Sequence, residues 1–135
     1  MNEEAIIKAV GEYFAERADG NIVAAYVFGS VARRTSRPSS DVDIGVLYAA
    51  APPSTLGGLP VDLEDHLQRS LARPVQIVVL NKASADLVHR VLRDGELVFE
   101  TDRAARIRFE VRSRQVYLDL LPVRRQYRHG TKVET

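Results

Sequence analysis

The stretch from Tyr26 to Leu47 constrains the fold most strongly, because it brings together the ends of two apolar runs and the polar segment between them. The first run, Ile22 to Phe28, ends at Gly29-Ser30, and after a gap of ten residues Asp41-Val-Asp43 opens the second. Short apolar runs bounded by Gly, Ser, Pro and Asp are typical of strands in a sheet. The pattern predicts strand, turn, short helix (about Ser30 to Arg34), loop and strand.

Asp41 and Asp43 are two residues apart at the start of the second predicted strand. Alternate residues of a strand point to the same face, so the two carboxylates are expected side by side, where they repel each other. Mg²⁺ relieves such repulsion, and it prefers one or two carboxylates together with substrate phosphates and water. The Asp-x-Asp pair therefore predicts a Mg²⁺ site.

Gly29 and Ser30 stand where the first strand turns into the short helix. Glycine permits a sharp turn and close approach of the backbone to a ligand, while a serine hydroxyl can cap a helix or bind a phosphate oxygen. Either motif alone is more often an ordinary turn or the start of a strand. Their combination at this spacing favours a site that holds a nucleotide tail against a metal.

With this spacing, the chain resembles the DNA polymerase β-like nucleotidyltransferase superfamily. Its small size also resembles the minimal nucleotidyltransferases, which are little more than a catalytic domain and act as antitoxins beside a HEPN-domain toxin. The likeness extends through Arg73 to Leu80, Val91 to Glu100 and Arg108 to Arg112. The resemblance implies Mg²⁺ as cofactor, ATP as substrate, and transfer of AMP to a tyrosine hydroxyl of the toxin.

The resemblance also assigns roles to single residues. It makes Asp41 and Asp43 the catalytic metal ligands. The nucleotide-binding residues that it implies are Gly29, Ser30 and Arg33. At the next position, which is Arg34 here, members of the family frequently have Gly. A third acidic residue is usual on the neighbouring strand, where this chain has Gln76. An amide supplies an oxygen but neither a negative charge nor a base, so Gln76 is expected to weaken one metal site and the deprotonation of the acceptor. The alternative for Gln76 is a core amide satisfied by local hydrogen bonds.

The remaining chain predicts an α/β (α+β) fold with a small mixed sheet and helices packed mainly on one face. Its strands are residues 22–28, 41–48, 75–80 and, at an edge, 96–100, with the strand order taken from the resemblance. Apolar residues at helical spacing predict helices over 3–18, 60–71, 84–93 and 101–121, and residues 49–59 a loop. We expect one domain, 1–121, and a basic C-terminal tail, 122–135, that starts where Pro122 ends the last helix.

Composition limits the classes of partner. Residues 1–100 carry ten Lys or Arg against fourteen Asp or Glu, and residues 101–135 nine against four. The C-terminal basic residues alternate with Glu110 and Asp119, so a nucleic-acid partner is not favoured. The absence of cysteine, of a signal peptide and of a long apolar run favours a cytoplasmic protein that does not enter the membrane. Homo- or hetero-oligomerisation is left open.

Three functions fit these features. The first is an ATP-dependent protein adenylyltransferase that modifies its toxin. The second is a catalytically weakened domain that neutralises the toxin by binding alone, as Gln76 suggests. The third, transfer to a small molecule such as an aminoglycoside, is disfavoured because so short a chain has little room for an acceptor-binding domain.

Overall fold

The computed structural model describes residues 1–17, 20–51 and 59–133, with side chains in these ranges except at 59–61 and 122–133. Helices and strands alternate along most of the chain, and every predicted strand is present to within one residue at each end. The elements are α1 (Glu3–Arg17), β1 (Ile22–Phe28), α2 (Gly29–Ala32), β2 (Val42–Tyr48), α3 (Leu59–Leu71), β3 (Val75–Val79), a 3-10 turn (Leu80–Lys82), α4 (Ala85–Asp94), β4 (Glu96–Glu100) and α5 (Arg103–Val133). Most of the predicted loop over 49–59 lies outside the described residues.

The strands form one mixed sheet in the order β3-β2-β1-β4. β1 runs antiparallel to both β2 and β4, and β2 runs parallel to β3. The predicted fold class is confirmed, as is the place of β4 at an edge. The register sets Asp43 beside Phe28 of β1 on one side and beside Gln76 of β3 on the other.

The helices cover both faces of the sheet, which corrects the expectation that they pack mainly on one. One core joins α1, α2 and α3 to one face, through residues such as Phe14, Val31 and Leu67. A second core joins α4 and α5 to the other face, through Val91 and Phe109. The reason lies in β1, whose side chains are apolar on both sides, so that each face of the central strand has to be covered.

The last helix also differs from its prediction, since α5 continues through Pro122 to Val133. A proline inside a helix removes one backbone hydrogen bond and clashes with the preceding turn, which disfavours the helix there and kinks it or ends it. Here Leu, Val, Arg and Gln surround Pro122, and all except Val are good helix formers. The helix therefore does not end at residue 121, where the sequence predicted its end.

Polar contacts attach α5 to the sheet. The hydroxyl of Tyr26 donates to Glu110 at 2.7 Å, and Arg106 pairs with both Glu110 and Glu100. Farther along, the ring of Tyr117 stacks on His89 of α4 at 3.7 Å. Within the described residues, no helix is long and apolar enough to cross a lipid bilayer.

Candidate active site

A cleft of about 470 Å³ opens where β1 ends, beside the first residues of β2 and β3. It lies on the sheet face that α4 covers. Five of the six predicted site residues line or face it: Gly29, Ser30, Arg33, Asp43 and Gln76. The remaining cleft residues come from strand ends and from α4, and they are Phe28, Val78, Leu87, Arg90 and Asp94.

Gly29 is held in the left-handed region of backbone space, with φ of 71°. A Cβ atom at this position would lie 2.2 Å from Oδ2 of Asp43. Only glycine lets the turn after β1 pass so close to the carboxylate. The position of Asp43 thus accounts for glycine at this turn, while the predicted close approach of the Gly29 backbone to a ligand stays a prediction.

Asp43 is half-buried in β2, whereas Asp41 is exposed one residue before the strand and is not among the cleft-lining residues. Burial is the main cause that raises the pKa of the Asp43 carboxyl; the charge of Asp41 raises it further, and Arg33 lowers it. The two carboxylates are thus near enough to repel each other. A bound cation would remove both costs, since it replaces lost solvation and offsets the like charge.

Ser30 and Arg33 lie on the first turn after β1. The carbonyl oxygen of Gly29 accepts from the N–H of Arg33 at 3.1 Å, and that of Ser30 accepts from the N–H of Thr35 at 2.9 Å. The hydroxyl of Ser30 has no partner within the described part of the chain, and Phe28, not Ser30, occupies the cap position of α2. Of the two predicted uses of this hydroxyl, capping is thus excluded and ligand binding stays open.

Gln76 is exposed on β3 and lines the cleft, in register with Asp43. This position rules out the alternative of a core glutamine. Within residues 1–17, 20–51 and 59–133, no three His, Cys, Asp or Glu side chains come together in a way that could hold a metal. The predicted site therefore offers a metal the carboxylate of Asp43 and the amide of Gln76 in the cleft, and the carboxylate of Asp41 beside it.

The loop that carries Asp41 is fastened at two points that the sequence did not reveal. Glu3 of α1 accepts from the N–H and the hydroxyl of Ser36, both at 2.9 Å, and the backbone N–H of Ser36 is the main cause that lowers the pKa of Glu3. Arg73 donates to the carbonyl oxygens of Ser40 and Arg37 at 2.8 and 2.7 Å. These bonds hold the loop in place just before Asp41.

Arg34 turns away from the cleft. Its guanidinium pairs with Glu96 at 2.8 Å and with Glu4 at 2.5 Å, and thereby joins the turn to β4 and α1. Its φ of 63° is left-handed, a conformation that glycine adopts more readily than arginine. Arg34 is a structural residue, while Arg33 faces the cleft.

The contribution of α4 was missed in the sequence. Leu87, Arg90 and Asp94 have the spacing of one helix face, and all three line the cleft. Helical spacing shows that they share a face, but only the sheet topology shows that this face meets Asp43. The two histidines whose side chains the structure describes, His66 and His89, are not among the cleft-lining residues.

Comparison with known proteins agrees with the geometry. The family model described as polymerase beta, nucleotidyltransferase matches residues 8–104. No curated protein matches the chain in sequence.

Solved structures give matches over nearly the whole chain. A chain of a toxin–antitoxin complex with AMP-PNP is 26% identical, covers 98% of this chain and 99% of its own length, and has a TM-score of 0.76. Two more distant matches share the fold at 21% identity. One is a chain of the MntA–HepT toxin–antitoxin complex, with a TM-score of 0.72, and the other is a chain of the Shewanella oneidensis complex of a tri-AMPylated HEPN toxin with its MNT antitoxin, with a TM-score of 0.73. Each match covers 96% of this chain and 98% of the matched chain.

The family model spans more than half of the chain, and its matched region contains every residue of the cleft. The resemblance to minimal nucleotidyltransferases is confirmed by this match and by the toxin–antitoxin structures. The chain belongs to the polymerase beta nucleotidyltransferase family.

Proposed function

We propose that the protein is a Mg²⁺-dependent nucleotidyltransferase that transfers AMP from ATP to a hydroxyl of a HEPN-domain toxin. The first acceptor to test is a tyrosine hydroxyl of the toxin. The transfer would make this protein the antitoxin of that toxin. The main support is the convergence of Gly29, Ser30, Asp43 and Gln76 on one cleft at the end of β1. A Gly-Ser turn whose hydroxyl has no partner among the described residues, opposite a half-buried carboxylate, is suited to a phosphate chain and a divalent cation.

The donor set fits one Mg²⁺ better than two. Asp41 and Asp43 supply two carboxylates whose mutual repulsion a cation would offset, and this repulsion contributes to the raised pKa of Asp43. Gln76, beside Asp43, adds an amide oxygen without charge. Mg²⁺ bound there would neutralise phosphate charge and polarise the α-phosphate.

The other residues of the cleft would position the nucleotide. The Ser30 hydroxyl and the Arg33 guanidinium would bind the phosphates, and the backbone at Gly29 would let the nucleotide approach Asp43. The acceptor oxygen attacks the α-phosphorus, the bond from that phosphorus to the bridging oxygen of the β-phosphate breaks, and pyrophosphate leaves. Because Gln76 is no base, the proton of the acceptor hydroxyl would leave to water or to the carboxylate of Asp43.

The partner is inferred from the matched structures. A complex of 26% identity is a toxin–antitoxin pair with AMP-PNP, and a more distant one contains a tri-AMPylated HEPN toxin. Nucleotide, toxin and AMP modification thus occur together among proteins that share this fold. We extend the same roles to this chain, with its location in the cytoplasm.

Gln76 also favours a second candidate, an antitoxin of the same fold that neutralises its toxin by binding alone. A neutral side chain at the third position removes both a metal ligand charge and the nearest candidate base. In that case the cleft would still bind nucleotide through Asp41 and Asp43, but transfer would be slow or absent.

Transfer of label from α-labelled ATP to the proposed HEPN-domain toxin partner tests the first candidate. Wild type should label the partner, and Asp43→Asn and Asp41→Ala should reduce the label by at least about a hundredfold, the usual effect of losing a central electrostatic group. Asp65→Asn, an exposed charge change on α3 outside the cleft, is the matched control. Equal labelling by Asp41→Ala and wild type would show that the assignment is wrong.

Toxin neutralisation in cells separates the two candidates. If AMP transfer is the mechanism, the double variant Asp41→Ala, Asp43→Asn should fail to rescue growth although it still copurifies with the toxin. Rescue by this variant at wild-type expression would establish neutralisation by contact.

A further inference from the structure

Two arginines reach the cleft from different elements. Arg33 directly follows α2, Arg90 lies in the middle of α4, and both line the cleft together with Asp43. Both side chains are exposed. The sequence motifs assign Arg33 but give no role to Arg90.

Neither guanidinium is used to hold the fold together. Among the residues that the structure describes, the side chain of Arg90 has no hydrogen-bond or ion-pair partner, and that of Arg33 only senses the charges of Asp43 and Asp94. Neighbouring arginines behave differently: Arg93 binds both carboxylate oxygens of Asp94 at 3.0 and 2.8 Å. Unpaired guanidinium groups at a cleft are available to a ligand.

The charges of the cleft favour an anion. Asp94 is paired with Arg93, so that among the charged lining residues Asp43 is the one unpaired carboxylate beside Arg33 and Arg90, with Asp41 just outside the lining. Gln76 adds no negative charge. A triphosphate carries more negative charge than one divalent cation offsets. The two arginines complement the negative charge that the metal ion would leave unbalanced.

We propose that Arg90 is a second polyphosphate-binding residue, which grips the β- and γ-phosphates of the nucleotide together with Arg33. This role rests on the proposed nucleotidyltransferase function. Arg90 takes part in no proton transfer: its planar guanidinium binds phosphate oxygens in pairs and keeps the departing pyrophosphate oriented. In this chain, where the donor set fits one Mg²⁺ better than two, Arg90 would supply from α4 part of the positive charge that a second metal ion would bring.

Binding of ATP, inorganic tripolyphosphate and adenosine to the full chain with Mg²⁺, measured by calorimetry without any acceptor, tests this role. Arg90→Ala should raise the Kd for ATP and tripolyphosphate by about tenfold or more, as expected for a charge-assisted phosphate contact. The Kd for adenosine should change less than about twofold, because adenosine has no phosphate. Arg90→Lys should restore part of the lost affinity, since it keeps the charge but not the paired geometry.

Arg69→Ala is the matched control, because Arg69 is an exposed arginine on α3 that does not line the cleft. It should bind all three compounds as wild type does. If Arg90→Ala binds ATP and tripolyphosphate like wild type, or loses adenosine as strongly as ATP, Arg90 is no phosphate ligand while the proposed function stands. If wild type itself binds neither ATP nor tripolyphosphate, both the role of Arg90 and the proposed function are overturned.

Discussion

At the scale of single residues, the backbone of Gly29 and the carboxylate of Asp43 determine the geometry of the site. They meet so closely that a Cβ atom at Gly29 would overlap Oδ2 of Asp43 at 2.2 Å. The same carboxylate is half-buried, near Asp41, and its pKa is raised mainly by burial. The site therefore combines a close backbone contact with a half-buried carboxylate whose charge destabilises the fold. Functional sites often keep such destabilising features.

Gly29→Ala should destabilise the fold by about 1–3 kcal/mol, because alanine is strained at this positive φ and its methyl group displaces Asp43. Urea denaturation measures the change, and ATP binding should weaken in parallel. Gly20→Ala is the control, since nothing lies within 4 Å of a Cβ there. Equal stability of Gly29→Ala and Gly20→Ala would contradict the described contact.

Asp43→Asn should raise thermal stability at neutral pH although it abolishes transfer. The folded pKa of Asp43 lies above its unfolded value, so its carboxylate destabilises the fold at pH values above the raised pKa. This cost disappears as the pH falls through the raised pKa to the ordinary aspartate range. Melting temperatures should therefore favour the variant at pH 7 and converge with those of wild type in acid, and a variant less stable at pH 7 would refute the sign of this shift.

At the scale of elements, the turn after β1 is fixed by contacts with α1, β4 and α4. Sequence patterns predicted the strands well, because apolar runs between Gly, Pro and Asp are strong local signals. They could not show that α4 completes the cleft with Arg90, since this depends on which sheet face α4 covers. The helices on both faces were missed for a related reason: β1 is apolar throughout, so its pattern does not distinguish one covered face from two.

Substitutions of Arg34 test whether backbone strain or ion pairing contributes more to the stability of that turn. Arg34→Gly and Arg34→Ala both remove the pairs with Glu4 and Glu96, but only glycine relieves the left-handed φ of 63°. Arg34→Gly should be the more stable of the two by about 1 kcal/mol, although Gly is usually the more costly residue next to a helix. Chemical denaturation of both variants decides this, and the opposite order would mean that the turn relaxes.

At the scale of the whole molecule, the described residues contain the cleft, two apolar cores and a long C-terminal helix. All residues of the cleft lie between Phe28 and Asp94, and the described core clusters reach only to Phe109. The helix α5 passes beyond these clusters to Val133. We therefore propose that residues 1–121 form the nucleotide-binding unit, with 122–135 as a separate basic segment even though α5 connects the two.

A chain ending at Leu121 should fold and bind ATP with a Kd within about threefold of the full chain, because its cleft and cores are intact. Its melting temperature should fall by no more than about 5 °C. Calorimetric titration with ATP and a thermal melt are sufficient measurements. Loss of ATP binding in a folded truncated chain would place part of the nucleotide site beyond residue 121.

Comparison of wild type with Gln76→Asp, by transfer of label from α-labelled ATP with Mg²⁺ to the HEPN-domain partner, tests the central claim most directly. Wild type should label the partner, and Gln76→Asp should label it faster, because an aspartate beside Asp43 restores a metal-ligand charge and a base. Label from Gln76→Asp alone would contradict the claim and identify wild type as an antitoxin that acts by binding.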